Sequence, residues 1–377
     1  MHRSSSTTTC TSARPPRNWA RAIRSLRSRS TPISRCRRTT LRSTRAARCW
    51  RRSPTSAASA VTRSPMSGRS KQREPRRAEP TARAAPGRAE PRARAANFRA
   101  VSSTPTALVT GATRGIGKQV ALGLARRGYD VAFTGRTHHE GDAARRPEAE
   151  ALPELKLVTG SLDATLAEIE ALGRRAVPLA VDLLDRDQVL ACGPAALDAL
   201  GHIDVLCNNA IYVGPAGERL FLDTPADEIE KRLYGNVAAQ LLMMQAIVRH
   251  MVERGSGVVG NVTSGAGYAK PPGRIGDGGW ALTYGVSKAG FHRIVSQLLI
   301  EHERDGLRAY NLQPGAVATE RVMAAGEKLE FVRRHAAPVE IVGDTIAHIL
   351  TAPPGAFANG GNLQIQDIAR ELGTLPT

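Results

Sequence analysis

The chain has 377 residues and a formal net charge of +19, but the charge is confined to one part of the sequence. Residues 1–104 contain 26 Lys and Arg against 3 Asp and Glu (net +23), whereas the remaining 273 residues contain 27 against 31 (net −4). This distribution excludes a protein that is basic throughout. No apolar run approaches the ~18 residues of a membrane span. The five cysteines lack the spacing of a metal or disulfide framework, which fits a reducing, cytoplasmic compartment.

The first 104 residues are predicted to be a disordered tail. They consist mainly of Arg, Ser, Thr, Ala and Pro, and such a segment cannot bury enough apolar surface to offset the entropy of ordering it. Three interpretations stay open: non-specific nucleic-acid binding through the arginines, a targeting segment, or an extension without selected function that follows from a mis-assigned start codon. The third is favoured, because aromatic side chains for base stacking are few.

The folded part, residues 105–377, begins with a strand, a glycine-rich turn and a helix. TALVT (106–110) predicts a buried strand, KQVALGLARRG (118–128) an amphipathic helix and DVAFTG (130–135) a second buried strand. The turn after the first strand contains Gly111, Arg114, Gly115, Ile116 and Gly117. Glycines at these places permit a sharp turn and a close approach of the backbone to a pyrophosphate at the helix N-terminus, which predicts a dinucleotide site.

The residue after the second strand indicates which dinucleotide is bound. An acidic residue there would hold the ribose 2′-hydroxyl of NAD, but the sequence continues with Arg136 and has no carboxylate at this point. Arg136, helped by Arg114, can pair with a 2′-phosphate, so NADPH is favoured over NAD. The alternative is that Arg136 is only a solvated loop residue.

A polar segment separates this unit from the next helix. The stretch HHEGDAARRPEAEALPELKLVTGS (138–161) predicts a surface loop, in which His138 and His139 lack a third ligand, so no metal is expected. The helix that follows is predicted to be capped by Ser161.

Two further strands end in polar or small residues. AVPLAVDL (176–183) predicts a strand that runs to Asp182, whose carboxylate can accept the adenine amino group or cap the following helix. IDVLCNNA (203–210) predicts a fourth strand that ends at Asn209 and Ala210, which suit a backbone packed against the cofactor.

The next two elements carry a buried amide and a hydroxyl. A helix that starts near Pro225 contains Asn236 among apolar and small neighbours, where a buried amide must find hydrogen-bond partners. GVVGNVTSGAG (257–267) predicts a fifth strand that ends at Ser264.

The most informative helix contains Tyr284 and Lys288 in the sequence YGVSK. Residues four apart share a helix face, so the phenol is expected to lie beside the ammonium group. A neighbouring positive charge lowers the pKa of a phenol from its usual value near 10, and such a tyrosine can exchange a proton with a substrate oxygen near neutral pH. The alternative is an ordinary surface Tyr and Lys on an amphipathic helix.

The last strands complete the predicted sheet. LRAYNLQPGAVATE (307–320) predicts a sixth strand followed by Pro314, Gly315 and Thr319, and NLQIQ (362–366) predicts the seventh. The segment between them, 316–335, is expected to close over the substrate as a mobile lid.

Residues 105–367 resemble the short-chain dehydrogenase/reductase family. Six motifs occur in the family's order and at roughly its spacing: TGATRGIG (110–117), NNA (208–210), Asn236, Ser264, YGVSK (284–288) and PGAVAT (314–319). The resemblance implies a Rossmann-type α/β fold with a doubly wound sheet of seven parallel strands. It also implies hydride exchange between NADP(H) and a ketone or secondary alcohol.

The resemblance further implies a role for each motif residue. Tyr284 would be the general acid or base, Lys288 would lower its pKa and hold the nicotinamide ribose, and Ser264 would bind the substrate oxygen. Asn236 would position a water that extends the proton relay through Lys288. The residues implied on the nicotinamide side are Pro314, Gly315, Val317 and Thr319. A homodimer or homotetramer, paired through the helices of Asn236 and Tyr284, is the implied assembly.

The chain departs from the family pattern at three places. Ile211 follows NNA where glycine is usual, Ser264 and Tyr284 are separated by an extra segment, PPGRIGDGG, and the C-terminus reads NGGNLQIQDIARELG. Two other functions stay open: a catalytically silent dinucleotide-binding sensor or scaffold, against which the intact set of motifs argues, and an enzyme tethered to nucleic acid by its tail. The sequence leaves the substrate itself open.

Overall fold

The computed structural model describes residues 104–146, 150, 156–214, 219–275, 277–324 and 334–376. The predicted tail lies outside this range except for Thr104, and residues 325–333 of the predicted lid lie outside it as well. The described residues all belong to one compact unit of the chain. None of their helices combines the length and the apolar character that a bilayer crossing needs.

A parallel seven-stranded sheet forms the centre of the fold, which confirms the predicted fold class. Including a separate pair, the seventh and eighth, the strands of the described residues are β1 (Thr106–Val109), β2 (Asp130–Gly135), β3 (Ala176–Ala180), β4 (Val205–Asn208), β5 (Gly257–Val262), β6 (Leu307–Gln313), β7 (Val317–Ala318), β8 (Ala337–Pro338) and β9 (Asn362–Gln364). The order across the main sheet is β3-β2-β1-β4-β5-β6-β9, and each neighbouring pair is parallel. Strands β7 and β8 form a separate parallel pair.

Helices connect the strands and cover both faces of the sheet. They are α1 (Gly115–Arg126), α2 (Leu162–Ala171), α3 (Arg186–Leu200), α4 (Ala226–Leu233), α5 (Ala239–Arg254), α6 (Leu282–His302), α7 (Glu320–Ala324), α8 (Val339–Thr351) and α9 (Ile365–Glu371). A π-helical turn, Tyr234–Ala238, joins α4 to α5. The predicted cap of α2 is confirmed, because the Ser161 side chain accepts a hydrogen bond from the backbone of Ala164 at 3.1 Å.

The alternation of side chains along each strand divides the core into two layers. On β1, Ala107 and Val109 belong to the layer under α1 and α8, whereas Leu108 belongs to the layer under α3, α5 and α6. Successive residues of a strand point to opposite faces, and both faces are buried in a parallel sheet. This is why strands such as β4 consist of buried residues only.

The strand order reverses at the boundary between β1 and β4. In an open α/β sheet of this kind, ligands bind in the crevice at the carboxyl ends of the strands, next to such a reversal. The glycine-rich turn follows β1 and the NNA motif follows β4, so the fold places both at this crevice.

Three predicted strand ends need correction. Strand β3 ends at Ala180, before Asp182, and β9 ends at Gln364, where α9 takes over. Strand β5 ends at Val262, because Ser264 instead caps a short 3₁₀ turn, Gly265–Gly267, by accepting a hydrogen bond from the Ala266 backbone at 3.2 Å. Backbone hydrogen bonds still reach one residue beyond two of these ends, since Val181 donates to the Gly135 carbonyl and Thr263 to the Leu312 carbonyl.

Candidate active site

The glycines of the first turn are required by the space around them. Gly111 and Gly115 have φ of +69° and +57°, in the left-handed region that favours glycine. A Cβ on Gly111 would lie 2.7 Å from the Cα of Ala210, and a Cβ on Gly117 would lie 2.3 Å from the carbonyl oxygen of Gly111. Gly111 therefore permits the turn and its contact with the β4 end, while Gly117 lets α1 start directly beneath the turn.

Hydrogen bonds fasten this turn to the end of β4. The Thr110 hydroxyl accepts from the backbone N–H groups of Asn209 and Ala210, both at 3.0 Å. The side-chain amide of Asn209 donates to the carbonyls of Thr110 and Gly111, again at 3.0 Å. Thr110 was not among the predicted site residues, although a hydroxyl at the last position before Gly111 was visible in the sequence.

A cavity of about 330 Å³ opens at the crevice between these two motifs. Nine of the predicted cofactor residues line it: Gly111, Arg114, Gly115, Ile116, Arg136, Asp182, Asn209, Ala210 and Thr319. Ile211, which replaces the usual glycine, lines it too. Six predicted cofactor residues are not among its lining residues: Gly117, Tyr284, Lys288, Pro314, Gly315 and Val317. The cavity thus holds only part of the predicted site.

Arginines surround one end of the cavity. The Nη1 of Arg136 donates to the Oδ2 of Asp182 at 3.2 Å. The Nη2 of Arg114 donates to the Thr137 hydroxyl at 3.1 Å and to the Gly160 carbonyl at 2.6 Å, and burial lowers the pKa of its guanidinium. Arg146, from the polar segment and not predicted, also lines the cavity. Such a group of guanidinium groups suits a phosphate.

The structure decides one of the two alternatives for Asp182. The cap of α3 is Asp185, which accepts from the backbone of Asp187 at 3.0 Å and of Gln188 at 3.1 Å. Asp182 instead accepts from the Leu184 backbone at 2.9 Å through Oδ1, and it lines the cavity. The cap interpretation of Asp182 is therefore wrong, because three further residues of loop precede the helix.

Ser264 and Tyr284 are brought together despite the extra segment between them. The Ser264 side chain is close enough to the Tyr284 hydroxyl to lower its pKa. Part of the inserted segment folds back on itself, since the backbone N–H groups of Asp277 and Gly279 donate to the Arg274 carbonyl at 2.9 and 3.1 Å. These extra residues therefore form a local loop between Ser264 and Tyr284.

The pKa of Tyr284 differs from the prediction. Burial raises it above the ordinary value, while the hydrogen bond with Ser264 and the positive charge of Arg232 act in the opposite direction. The expectation that Lys288 makes this phenol more acidic is thus wrong for the protein chain alone, because desolvation has the larger effect. Arg232, which is 2% exposed, was not among the predicted site residues.

Lys288 is a buried cation one helical turn beyond Tyr284. Its side chain is 6% exposed, and its Nζ donates to the Val262 carbonyl at 3.0 Å, at the end of β5. The same Nζ lies 5.3 Å from the centre of the Phe291 ring. Burial lowers the pKa of Lys288 to about 8, so the group is charged at neutral pH.

Asn236 has the hydrogen-bond partners that its burial requires. It lies in the π-helical turn, a feature frequent at functional sites. Its Oδ1 accepts from the Tyr212 backbone at 2.7 Å, and its Nδ2 donates to the Tyr212 carbonyl at 3.0 Å and to the Ser287 hydroxyl at 3.3 Å. Asn236 therefore connects the loop after β4 to α6, beside Lys288.

The segment after β6 is held by the C-terminal helix. The Nε2 of Gln366 donates to the carbonyls of Pro314 and Ala316 at 2.9 and 2.8 Å, and Gly315 has φ of +73°. Strand β7, which contains Val317, pairs with β8, and this pair ties together the two ends of the segment predicted as a lid.

Other reactive side chains give no further centre. Within the described residues, no group of three or more His, Cys, Asp or Glu side chains is arranged to hold a metal ion. His139 contacts Asp163 at the surface. Cys192 and Cys207 are free and buried, and burial raises the pKa of both thiols to about 12.

Comparisons with known proteins agree with this geometry. A family model described as short chain dehydrogenase matches residues 105–162 and 155–330. L-rhamnose 1-dehydrogenase (NAD(P)(+)) of Sphingomonas sp. (strain SKA58) is 29% identical over 269 residues, which cover 69% of this chain and 94% of that protein. Gluconate 5-dehydrogenase of Gluconobacter oxydans (strain 621H) is 31% identical over 269 residues, with 69% and 92% covered.

Solved structures give the same result. A short-chain type dehydrogenase/reductase from Mycobacterium marinum is 25% identical and superimposes with a TM-score of 0.55, covering 69% of this chain and 93% of that one. The relatives are oxidoreductases of a family that uses nicotinamide dinucleotides. The fold, the glycine turn and the match over more than half of the sequence lead to one conclusion: the chain belongs to the short-chain dehydrogenase family.

Proposed function

We propose that the protein is an NADP-dependent oxidoreductase that exchanges a hydride between NADP(H) and a ketone or secondary alcohol. The observation that supports this most is the cluster at the end of β5, where Ser264 acts on the pKa of Tyr284 and the buried ammonium of Lys288, one turn along the same helix, donates to the Val262 carbonyl. A phenol, a hydroxyl and a buried cation at one place suit proton transfer to a substrate oxygen.

The residues at the glycine turn fit a dinucleotide. Helix α1 starts without a side-chain cap, so the backbone N–H groups of its first turn are available to anionic oxygen atoms. The Gly115 N–H already binds the carboxylate of Glu320, at 2.9 Å. A pyrophosphate offers the same kind of acceptor. When bound, the nicotinamide ring supplies or accepts the hydride.

The side chains around Tyr284 account for the proton. In reduction, the Tyr284 hydroxyl gives its proton to the substrate oxygen, while Ser264 hydrogen-bonds that oxygen and orients it. Because burial raises the pKa of Tyr284, the phenol is protonated at neutral pH, as an acid requires. Lys288 is the proposed partner of the nicotinamide ribose. Asn236, which is hydrogen-bonded to Ser287, is proposed to position the water through which the phenolate regains a proton.

The preference for NADPH over NADH rests on the arginine end of the cavity. Arg114, Arg136 and Arg146 line the cavity together, and their guanidinium groups suit the ribose 2′-phosphate of NADP(H). The carboxylate of Asp182 accompanies Arg136 at 3.2 Å, and it is the proposed acceptor of the adenine amino group.

The proposed assembly is a homodimer or homotetramer. Helix α6 exposes Leu282 at 52%, Val286 at 51% and Ile300 at 81%, and α5 exposes Leu241 at 45%. Large apolar side chains exposed on these two helices suit a face that pairs with a second copy. The free thiols suit the cytoplasm as the proposed compartment.

The full chain should be assayed against ketones, secondary alcohols, sugars and 3-oxoacyl thioesters, with NADPH and NADH in parallel. We expect carbonyl-dependent oxidation of NADPH with kcat/KM at least about tenfold above that of NADH, since an arginine–phosphate pair contributes about 1.5–3 kcal/mol. Arg136→Ala should reduce this ratio. Binding of NADPH without turnover across the panel would favour the sensor instead.

A further inference from the structure

A carboxylate of the chain itself occupies the helix N-terminus at the glycine turn. Glu320, the first residue of α7, accepts a hydrogen bond from the Gly115 N–H through Oε2 at 2.9 Å, and its Oε1 lies 3.3 Å from the same nitrogen. Gly115 is the first residue of the twelve-residue helix α1, which has no side-chain cap from Arg114. Glu320 therefore takes the position that a capping anion would take.

The same carboxylate acts on the arginine end of the cavity. Glu320 lines the cavity together with Gly115, Arg114 and Thr319, and its negative charge is the main influence that opposes the effect of burial on Arg114. One glutamate thus satisfies the helix N–H and partly neutralises a cation at the place where an anionic ligand is expected.

We propose that Glu320 is an internal competitor of the dinucleotide pyrophosphate, so that a cofactor must displace this carboxylate from Gly115 in order to bind. The inference rests on the proposed function, because it takes the glycine turn as the dinucleotide site. Two anionic groups cannot share one N–H donor without strong repulsion, and the cost of displacement weakens the affinity for the cofactor.

Displacement of Glu320 also reaches the proposed nicotinamide side. Thr319 immediately precedes Glu320, and its hydroxyl accepts from the Val322 backbone at 3.4 Å in the first turn of α7. Strand β7 comes directly before Thr319. A cofactor that displaces the carboxylate would thus act on the residue next to Thr319, which is proposed to lie on the nicotinamide side.

The test is the binding of NADPH to the full chain, measured by calorimetry, for the parent, Glu320→Gln and Glu320→Ala. We expect both variants to bind NADPH about tenfold more tightly, since a charge-assisted hydrogen bond no longer has to be broken. Glu340→Gln is the matched control: Glu340 lies in the first turn of α8, is exposed and does not line the cavity, so its removal should leave the Kd unchanged.

A second ligand separates competition from a general charge effect. Adenosine 2′-monophosphate keeps the 2′-phosphate but has no pyrophosphate, so its Kd should tighten in Glu320→Gln by clearly less than that of NADPH, through the charge on Arg114 alone. Equal tightening of both ligands, or an unchanged Kd for NADPH, would overturn the proposal while leaving the proposed function in place. Failure of the parent and of all variants to bind NADPH would overturn both this proposal and the proposed function.

Discussion

Replacing Lys288 by methionine tests whether this lysine is buried as a cation. Burial lowers its pKa from 10.5 to about 8, whereas the unfolded chain keeps a value near 10.4. A folded pKa below the unfolded one means that the unfolded state binds more protons in this window. The folded state is therefore most stable, as far as Lys288 is concerned, above about pH 10.4, where the amine is neutral in both states. This stability is lost as the pH falls through about 8, because the buried amine must then be protonated.

The size of this effect follows from the two pKa values. At about 1.4 kcal/mol for each tenfold difference, the full change is about 3 kcal/mol, of which about 1.3 kcal/mol develops between pH 7 and pH 9. The side chain is only 6% exposed, so solvent screening reduces this value little. The hydrogen bond to the Val262 carbonyl can form with either state of the amine, so it does not change this difference between the two pH values.

The assay is urea denaturation of the full chain at pH 7 and pH 9, at constant ionic strength. We expect the change in unfolding free energy between these pH values to be about 1.3 kcal/mol less positive in Lys288→Met than in the parent. Lys231→Met is the control, because Asp227 raises the pKa of Lys231 and keeps it charged throughout. Identical pH dependence in the parent and in Lys288→Met would refute the lowered pKa.

Three further predictions concern the surroundings of the site. Arg232→Gln should raise the pKa of Tyr284 further, because the positive charge of Arg232 lowers it. Ultraviolet difference titration, with Tyr284→Phe to identify the signal, should show the phenolate appearing at higher pH. Arg232→Lys should restore the parent pKa. Gly111→Ala should destabilise the fold by about 1–3 kcal/mol and weaken NADPH binding, since its Cβ would meet Ala210 at 2.7 Å; an unchanged melting temperature would contradict this. Asn236→Ala should cost about 2–3 kcal/mol in chemical denaturation, because it leaves buried backbone groups unpaired.

The fold could be predicted because its signals are local. Continuous apolar runs give the strands, and the glycine turn after β1 gives the start of the first helix. The ends of elements were less certain, since hydrogen bonds outside the strand decide them: Ser264 caps the 3₁₀ turn after β5, and Asp185 rather than Asp182 caps α3. These contacts lie outside the reach of a hydrophobic pattern.

The candidate site could be predicted only in part. Its motif residues were named from the sequence and the family resemblance, and their catalytic roles stay predictions. The direction of the Tyr284 pKa was wrong because the extent of burial is a property of the packed structure. Glu320 was not predicted, because its contact with Gly115 joins residues 205 positions apart in the sequence. Tyr212 was not predicted for a similar reason, since its contact with Asn236 joins a loop to a helix 24 residues away.

The central claim is that Tyr284 supplies the proton when a hydride from NADPH reaches a carbonyl carbon. The most direct measurement is transfer of deuterium from NADPH labelled at C4 to a ketone found in the substrate panel, followed by mass spectrometry of the alcohol. The parent should transfer the label, whereas Tyr284→Phe should bind NADPH with the same Kd and transfer it about 10²–10⁴-fold more slowly. Equal rates of transfer in the two proteins would contradict the account.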